Sequence, residues 1–325
     1  MMLASNARLT AVMEVNSDDA ERLRVKYDAL RAYTADVELI NDPDVDAVYI
    51  ASPVAHHARQ AKLAADAGKH ILLEKPLALS AEEAQEVVDY CKARNVLIAA
   101  GFMMRYGSYV QVMKQAIGCG QVGDVVCAHT MFSCWYPEIT GAWRQKKQTG
   151  GGGALMDMGI HCIDLISYII GSRIKQVCAI NATQTFSYDV EDASAVLLRL
   201  ENGTICSVQS HFNIPDEAAD WRLEFFGTKG RLSGSGVIGQ MDGGKLDAVY
   251  TGGTSSYDAR QEGSRAQTQC FTVEFGNLYT REIESFGMSV LNGAALEVPA
   301  QAAVDAQRVV EAAYLSGETG KVIEL

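Results

Sequence analysis

This sequence predicts an α/β fold, a doubly wound parallel sheet over residues 1–124, followed by an α+β domain over 125–325 built on a mostly antiparallel sheet with helices on one face. Three observations predict it. Over the first hundred residues, short and nearly all-apolar runs alternate with helical patterns, giving the β-α-β-α-β-α-β order that a parallel sheet with crossover helices requires. Beyond residue 124, strand-like runs succeed one another and are joined by turns such as Glu201-Asn202-Gly203 and Gly227-Thr228-Lys229-Gly230. A length of 325 residues, 48% hydrophobic and 21% charged, supplies core enough for two ordinary globular domains.

The elements of the first domain follow in order. Leu9–Val15 is an apolar run containing Glu14 near its end. Asp18–Tyr33 has a helical pattern, with Ser17 or Asp18 as its cap. Ala47–Ser52 reads as a buried parallel strand, and His56–Ala67 as a helix stopped by Gly68. His70–Leu73 is the next strand. A helix over Ser80–Arg94 opens with Ser80 and Glu83 at capping-box spacing, and Val96–Ala100 is the last strand. In the second domain, strands are expected at 125–132, 174–185, 193–200, 204–212, 221–227, 230–233 and 236–241. An exposed loop is expected over 252–266. A helix near 301–316, which can pack back on the first domain, precedes a final strand at 322–325.

With 28 Lys and Arg against 40 Asp and Glu, the net charge is −12 and the pI about 5.0, which argues against nucleic acid and anionic membranes as partners. The eight cysteines show no paired spacing, and several lie inside apolar runs, as free core thiols do. With no signal peptide and no long uninterrupted apolar stretch, a reducing, cytoplasmic setting is expected.

Chemistry concentrates in the run Gly150-Gly151-Gly152-Gly153-Ala154-Leu155-Met156-Asp157-Met158-Gly159-Ile160-His161-Cys162-Ile163-Asp164. Glycines leave a bare backbone that a ligand can approach, or they make a tight turn. Asp157 and His161 are four apart, so a helix presents both on one face. A carboxylate and an imidazole there can bind and deprotonate a hydroxyl; equally, the helix can simply pack, with His161 bonded to Asp164. Three ligands on one short helix cannot enclose a cation alone. No His-Glu-x-x-His or Cys-x-x-Cys spacing adds others, so no metal is expected.

Ligands of open parallel sheets bind beyond the carboxyl ends of the strands. Glu14, Ser52-Pro53 and Glu74-Lys75-Pro76 all fall at such ends. A carboxylate at position 14 can accept both hydroxyls of an adenosine ribose and repels a 2′-phosphate, which favours NAD over NADP. Lys75, stiffened by the following proline, can reach into a cleft as a fixed cation.

Taken together, Glu74-Lys75-Pro76-Leu77, Ser52-Pro53-x-x-x-His57, Trp143-Arg144 and the Gly-Gly-Gly-Ala-Leu-x-Asp-x-Gly-x-His-x-x-Asp run resemble the Gfo/Idh/MocA oxidoreductases over nearly the whole chain. The resemblance implies a Rossmann-like first domain and NAD(P)-dependent oxidation or reduction at a sugar, polyol or inositol-type hydroxyl. It also implies that Lys75 bonds the reacting hydroxyl near the nicotinamide, and that Asp157 binds substrate while His161 is catalytic. Trp143 and Arg144 match a pair that approaches the cofactor, and Ser52, Pro53, His57 and Glu74 positions along its cleft. An imidazole with an ordinary pKa near 6.5 can take the proton, while a preorganised cation stabilises the alkoxide. Family dimers and tetramers imply a homo-oligomer through the open face of the second sheet.

One family feature is missing: no Gly-x-Gly-x-x-Gly precedes Glu14, and the first glycine of the sequence is Gly68. A first strand and most of its helix are expected to be lacking, with weak NAD binding as the consequence. Two other functions fit the same scaffold. One is a glycosidase that oxidises its sugar transiently with bound NAD; the other is a non-catalytic partner subunit.

Overall fold

A computed structural model describes residues 3–251, 259 and 266–325. The loop expected at 252–266 lies almost wholly outside the described residues. The chain divides into two compact units, one of Met1–Met103 with Tyr279–Asp305, the other of Met104–Leu278 with Ala306–Leu325.

In the first unit, strands β1 (Ala11–Met13), β2 (Arg31–Tyr33), β3 (Ala47–Ile50), β4 (His70–Glu74) and β5 (Ile98–Gly101) alternate with helices. The helix expected over 18–33 is shorter. It runs Ser17–Lys26, capped by the Asn16 side chain on the amides of Asp18 and Asp19. Asp28 then takes a left-handed φ of 51°, which ends the helix and frees Arg31–Tyr33 to pair as β2. The helix Ala81–Ala93 has the expected cap, with the Glu83 amide donating to Ser80 Oγ at 3.1 Å.

All strand pairs here are parallel, but they form two sheets, β1-β2 and β3-β4-β5. On one face of β3-β4-β5, Leu72 and Ala99 pack with Ile283 and Phe286 of the helix Leu278–Asn292, an element the sequence pattern did not announce.

The second unit is a nine-stranded sheet built from β6 (Val125–Ser133), β7 (Ile174–Ala182), β8 (Ala193–Leu200), β9 (Ile205–His211), β10 (Arg222–Gly227), β11 (Gly230–Ser235), β12 (Lys245–Thr251), β13 (Ala266–Cys270) and β14 (Ile323–Glu324). The spatial order is β13-β12-β11-β10-β6-β9-β8-β7-β14. Every pairing is antiparallel except β6 with β9. The strand expected at 236–241 does not form. Gly236 and Gly239 have φ of 68° and 136°, and Val237 and Ile238 are buried in a loop instead. The apolar spacing there signalled burial without pairing.

The helix Ser108–Gly118 belongs to this unit and packs on the helix Ile160–Ile170, so the division lies nearer Met103 than residue 124. The long helix Ala300–Thr319 starts in the first unit and ends in the second. By length and composition the run Lys147–Ile170 could cross a membrane, but most of it is buried as a core helix.

Candidate active site

The predicted site residues fall in both units. Glu14, Ser52, Pro53, His57, Glu74 and Lys75 belong to the first, and Trp143, Arg144, Asp157 and His161 to the second.

In the first unit, the parallel register sets the ends of β3, β4 and β5 at one edge, pairing Ile50 with Leu73 and Leu73 with Ala100. Glu14 follows β1 directly and is exposed. Ser52 donates to Gln60 Oε1 at 2.6 Å, and Gln60 in turn donates to Asp36 at 2.9 Å, which fastens the turn after β3. His57 is different from what was expected of a residue lining a cleft. It is 2% exposed, with Nδ1 2.9 Å from the carbonyl of Pro76 and Nε2 2.7 Å from that of Ser52. Its ring ties the loop after β3 to the loop after β4, and burial pulls its pKa below the ordinary value.

Glu74 closes β4 and accepts the hydroxyl of Tyr49. A Cβ on Gly101 would come within 2.9 Å of Glu74 Oε2, so the glycine makes room for this carboxylate. Lys75 follows, half-buried, and a cis peptide joins it to Pro76.

In the second unit, the glycine run makes a left-handed turn at Gly151 (φ 79°) and enters a π-helical turn, Leu155–Gly159, continuous with the helix Ile160–Ile170. Such single π turns recur at functional sites. Asp157 lies on the π turn, and His161 on the first turn of the helix, 4% exposed. The helix packs on β6 and β9; a Cβ on Gly159 would lie 2.7 Å from Ser210 Oγ of β9. Arg144 Nε is 3.7 Å from Asp157 Oδ1, and the same guanidinium lies 4.4 Å over the Trp143 ring. Here Trp143, Arg144 and Asp157 come together. The neighbouring Cys134 thiol is pushed up to about 12 by burial and by the charges of Asp157 and Asp216.

Two findings change the reading of the glycine motif. Asp164 does not serve His161. Its carboxylate takes two bonds from Arg105, Nε at 2.8 Å and Nη2 at 2.5 Å, in a pair that is almost wholly buried. The space beside Gly152 and Gly153 is also already filled by protein. A Cβ on Gly152 would fall on the Tyr314 hydroxyl, and one on Gly153 on the carbonyl oxygen of Glu191. Sequence reasoning missed Arg105, Glu191 and Tyr314 because each lies far along the chain from the motif it supports.

A nicotinamide dinucleotide can be tested against these residues. Glu14, Ser52-Pro53 and Glu74-Lys75 follow β1, β3 and β4 and offer a carboxylate, a fixed turn and a cation, a donor set whose chemistry fits a ribose and a nicotinamide. The first glycine in the sequence is Gly68.

The family model described as "Oxidoreductase family, NAD-binding Rossmann fold" matches residues 1–102, and that for the GFO/IDH/MocA C-terminal domain matches residues 110–233. The chain is 28% identical over 244 residues to 1,5-anhydro-D-fructose reductase of Ensifer adhaerens, covering 75% of this chain and 73% of that one. It is 29% identical over 294 residues to D-xylose 1-dehydrogenase (NADP(+)) 2 of Haloferax volcanii, covering 90% and 85%. Its fold matches that of an aldose-aldose oxidoreductase from Caulobacter crescentus complexed with glycerol, with a TM-score of 0.86 and 23% identity over 98% of this chain and 92% of that chain. The parallel strands of the first unit, the sheet-and-helix second unit and the two family matches lead to one conclusion: the chain is a member of the Gfo/Idh/MocA oxidoreductases, a family of nicotinamide-dependent enzymes.

Proposed function

We propose that this chain transfers a hydride between NAD and a carbon bearing a hydroxyl group in a sugar, polyol or inositol-type substrate. The observation that carries the reading is the placement of Asp157 and His161 on one continuous π-to-α turn, with Arg144 against the carboxylate. Relatives named as an anhydrofructose reductase and a xylose dehydrogenase support the substrate class. The exposed carboxylate of Glu14 after β1 supports NAD over NADP, since it repels a 2′-phosphate.

The nicotinamide, when bound, supplies the hydride acceptor. The chain supplies the rest. His161, packed into the base of its helix, takes the hydroxyl proton; Lys75 stabilises the negative charge that develops on oxygen. Asp157 accepts a bond from a neighbouring hydroxyl and orients the ring, with the Arg144 guanidinium beside it. Ser52, Pro53 and Glu74 lie along the dinucleotide at the strand ends of the first unit, with the His57 ring against the Ser52 carbonyl.

The eight free thiols support a reducing, cytoplasmic setting. The open face of the nine-stranded sheet, where Ile180, Leu197 and Ile205 are exposed, supports a homodimer or homotetramer.

The test is a panel of sugars, polyols and inositols with NAD and NADP, followed by reduced cofactor and by product analysis. Net NADH from at least one sugar or polyol is expected, with kcat lowered on the order of 10²–10⁴-fold in His161→Asn. Release of an aglycone without net NADH, or full activity in His161→Asn, would overturn the assignment.

A further inference from the structure

The carboxylate of Glu191 is 9% exposed and aimed at the glycine run from the segment before β8. It accepts the Gly153 amide at 3.1 Å through Oε1 and 3.0 Å through Oε2, and the Leu155 amide at 2.9 Å. Between them, the Ala154 amide donates to the Glu191 main-chain carbonyl at 3.0 Å. Three successive amides at the start of the turn are therefore taken by one residue. They are the groups that a helix start leaves without partners, and a carboxylate is their strongest acceptor. The Tyr314 hydroxyl braces Glu191 Oε1 from the other side at 2.9 Å.

The next residue anchors this clamp. Asp192 is fully buried and accepts the amides of Gln184, Thr185 and Phe186 at 2.8, 2.7 and 3.0 Å. Glu191 thus projects from a stiff mount. On the far side of Gly153, its carbonyl accepts the Asp157 amide at 2.9 Å, the first bond of the turn that carries the site. Gly152 and Gly153 permit the approach, because a side chain at either would collide with Tyr314 or Glu191.

We propose that Glu191, braced by Tyr314, is a positioning residue that sets the origin of the π turn and so aims Asp157 and His161. The inference rests on the hydride-transfer reading for its kinetic consequence, and on the geometry alone for its structural one. The glycines of the motif serve this internal clamp, while ligand contact belongs to the turn beyond it.

The test compares Glu191→Ala, Glu191→Gln and Tyr314→Phe by amide hydrogen exchange in the cofactor-free protein and by steady-state kinetics. In Glu191→Ala, exchange across residues 153–161 is expected to rise at least about tenfold while amides of β8 and β9 stay protected. Its kcat is expected to fall on the order of 10²-fold with the KM for cofactor unchanged, the size of effect that small misplacements produce. Glu191→Gln keeps one acceptor oxygen and should recover to within about tenfold of the native kcat. Should Glu191→Ala not fold, Tyr314→Phe, which loses a single bond, should show the same pattern in smaller measure. Native exchange over 153–161 in these variants, or an equal rise throughout the sheet, would overturn the proposal. A native protein that oxidises no sugar would instead count against the hydride-transfer reading, and the exchange data would still decide this one.

Discussion

Asp164 and His161 stand three apart on one helix, yet the helix gives them different work. Asp164 is committed to Arg105 inside the second unit, where burial pushes its carboxyl up and the guanidinium opposes the shift. Removing one partner of such a pair leaves a buried charge with no counterpart. Asp164→Ala should therefore cost about 3–5 kcal/mol by denaturant unfolding, far more than Arg144→Ala, whose half-exposed pair with Asp157 is worth about 1 kcal/mol or less. At this scale the sequence spelled out Asp157 and His161, because helical spacing alone puts four-apart residues together. It was silent on Arg105, 59 positions from its partner, and on Glu191, 36 positions from the Leu155 amide it accepts, since no local period links such residues.

At the level of elements, the joints carry the lesson. His57 opens the helix His57–Asp66 and sits between the loops after β3 and β4, its neutral ring donating to one of the two carbonyls, Pro76 or Ser52, that lie 2.9 and 2.7 Å from its nitrogens. Because burial lowers its pKa from the ordinary 6.5, the unfolded chain takes up a proton below that pH that the folded chain refuses. Stability is then full above about pH 6.5 and falls as pH drops through 6.5 towards the folded value. Thermal melts between pH 8 and pH 5 should show this decline, and His57→Gln should flatten it. The motif containing His57 was readable; its role as a joint was not, since burial depends on what packs above it. Elsewhere the pattern erred where backbone geometry overruled composition. Asp28 ended a helix whose pattern ran on to Tyr33, and Gly236 and Gly239 bent an apolar segment out of the sheet.

At the scale of the molecule, the division into a parallel and a mostly antiparallel part was legible from alternation and turn chemistry. The large sheet has one face packed by helices and one open. Register places Cys127, Cys178 and Phe226 on the same open face as Ile180, Leu197 and Ile205. With a partner on that face, Leu197→Glu should halve the native mass or more in light scattering while leaving the melting temperature of the dilute monomer within a few degrees. An unchanged mass would remove the sheet face as the interface.

Among the described residues of the second unit's sheet, the one parallel pairing, β6 with β9, has a consequence for how the protein is made. Those strands cannot be joined by a hairpin; the chain leaves β6, forms the glycine run and the helix of Asp157 and His161, and returns through β7 and β8 before β9 closes against β6. Closing a loop of that length carries an entropic cost that a hairpin avoids. The helix is enclosed by that same closure, so a chain whose sheet has not zipped has no Asp157–His161 turn to offer. The helix of His161 packs on both strands of that pair, so its seat is complete only once β9 has joined β6.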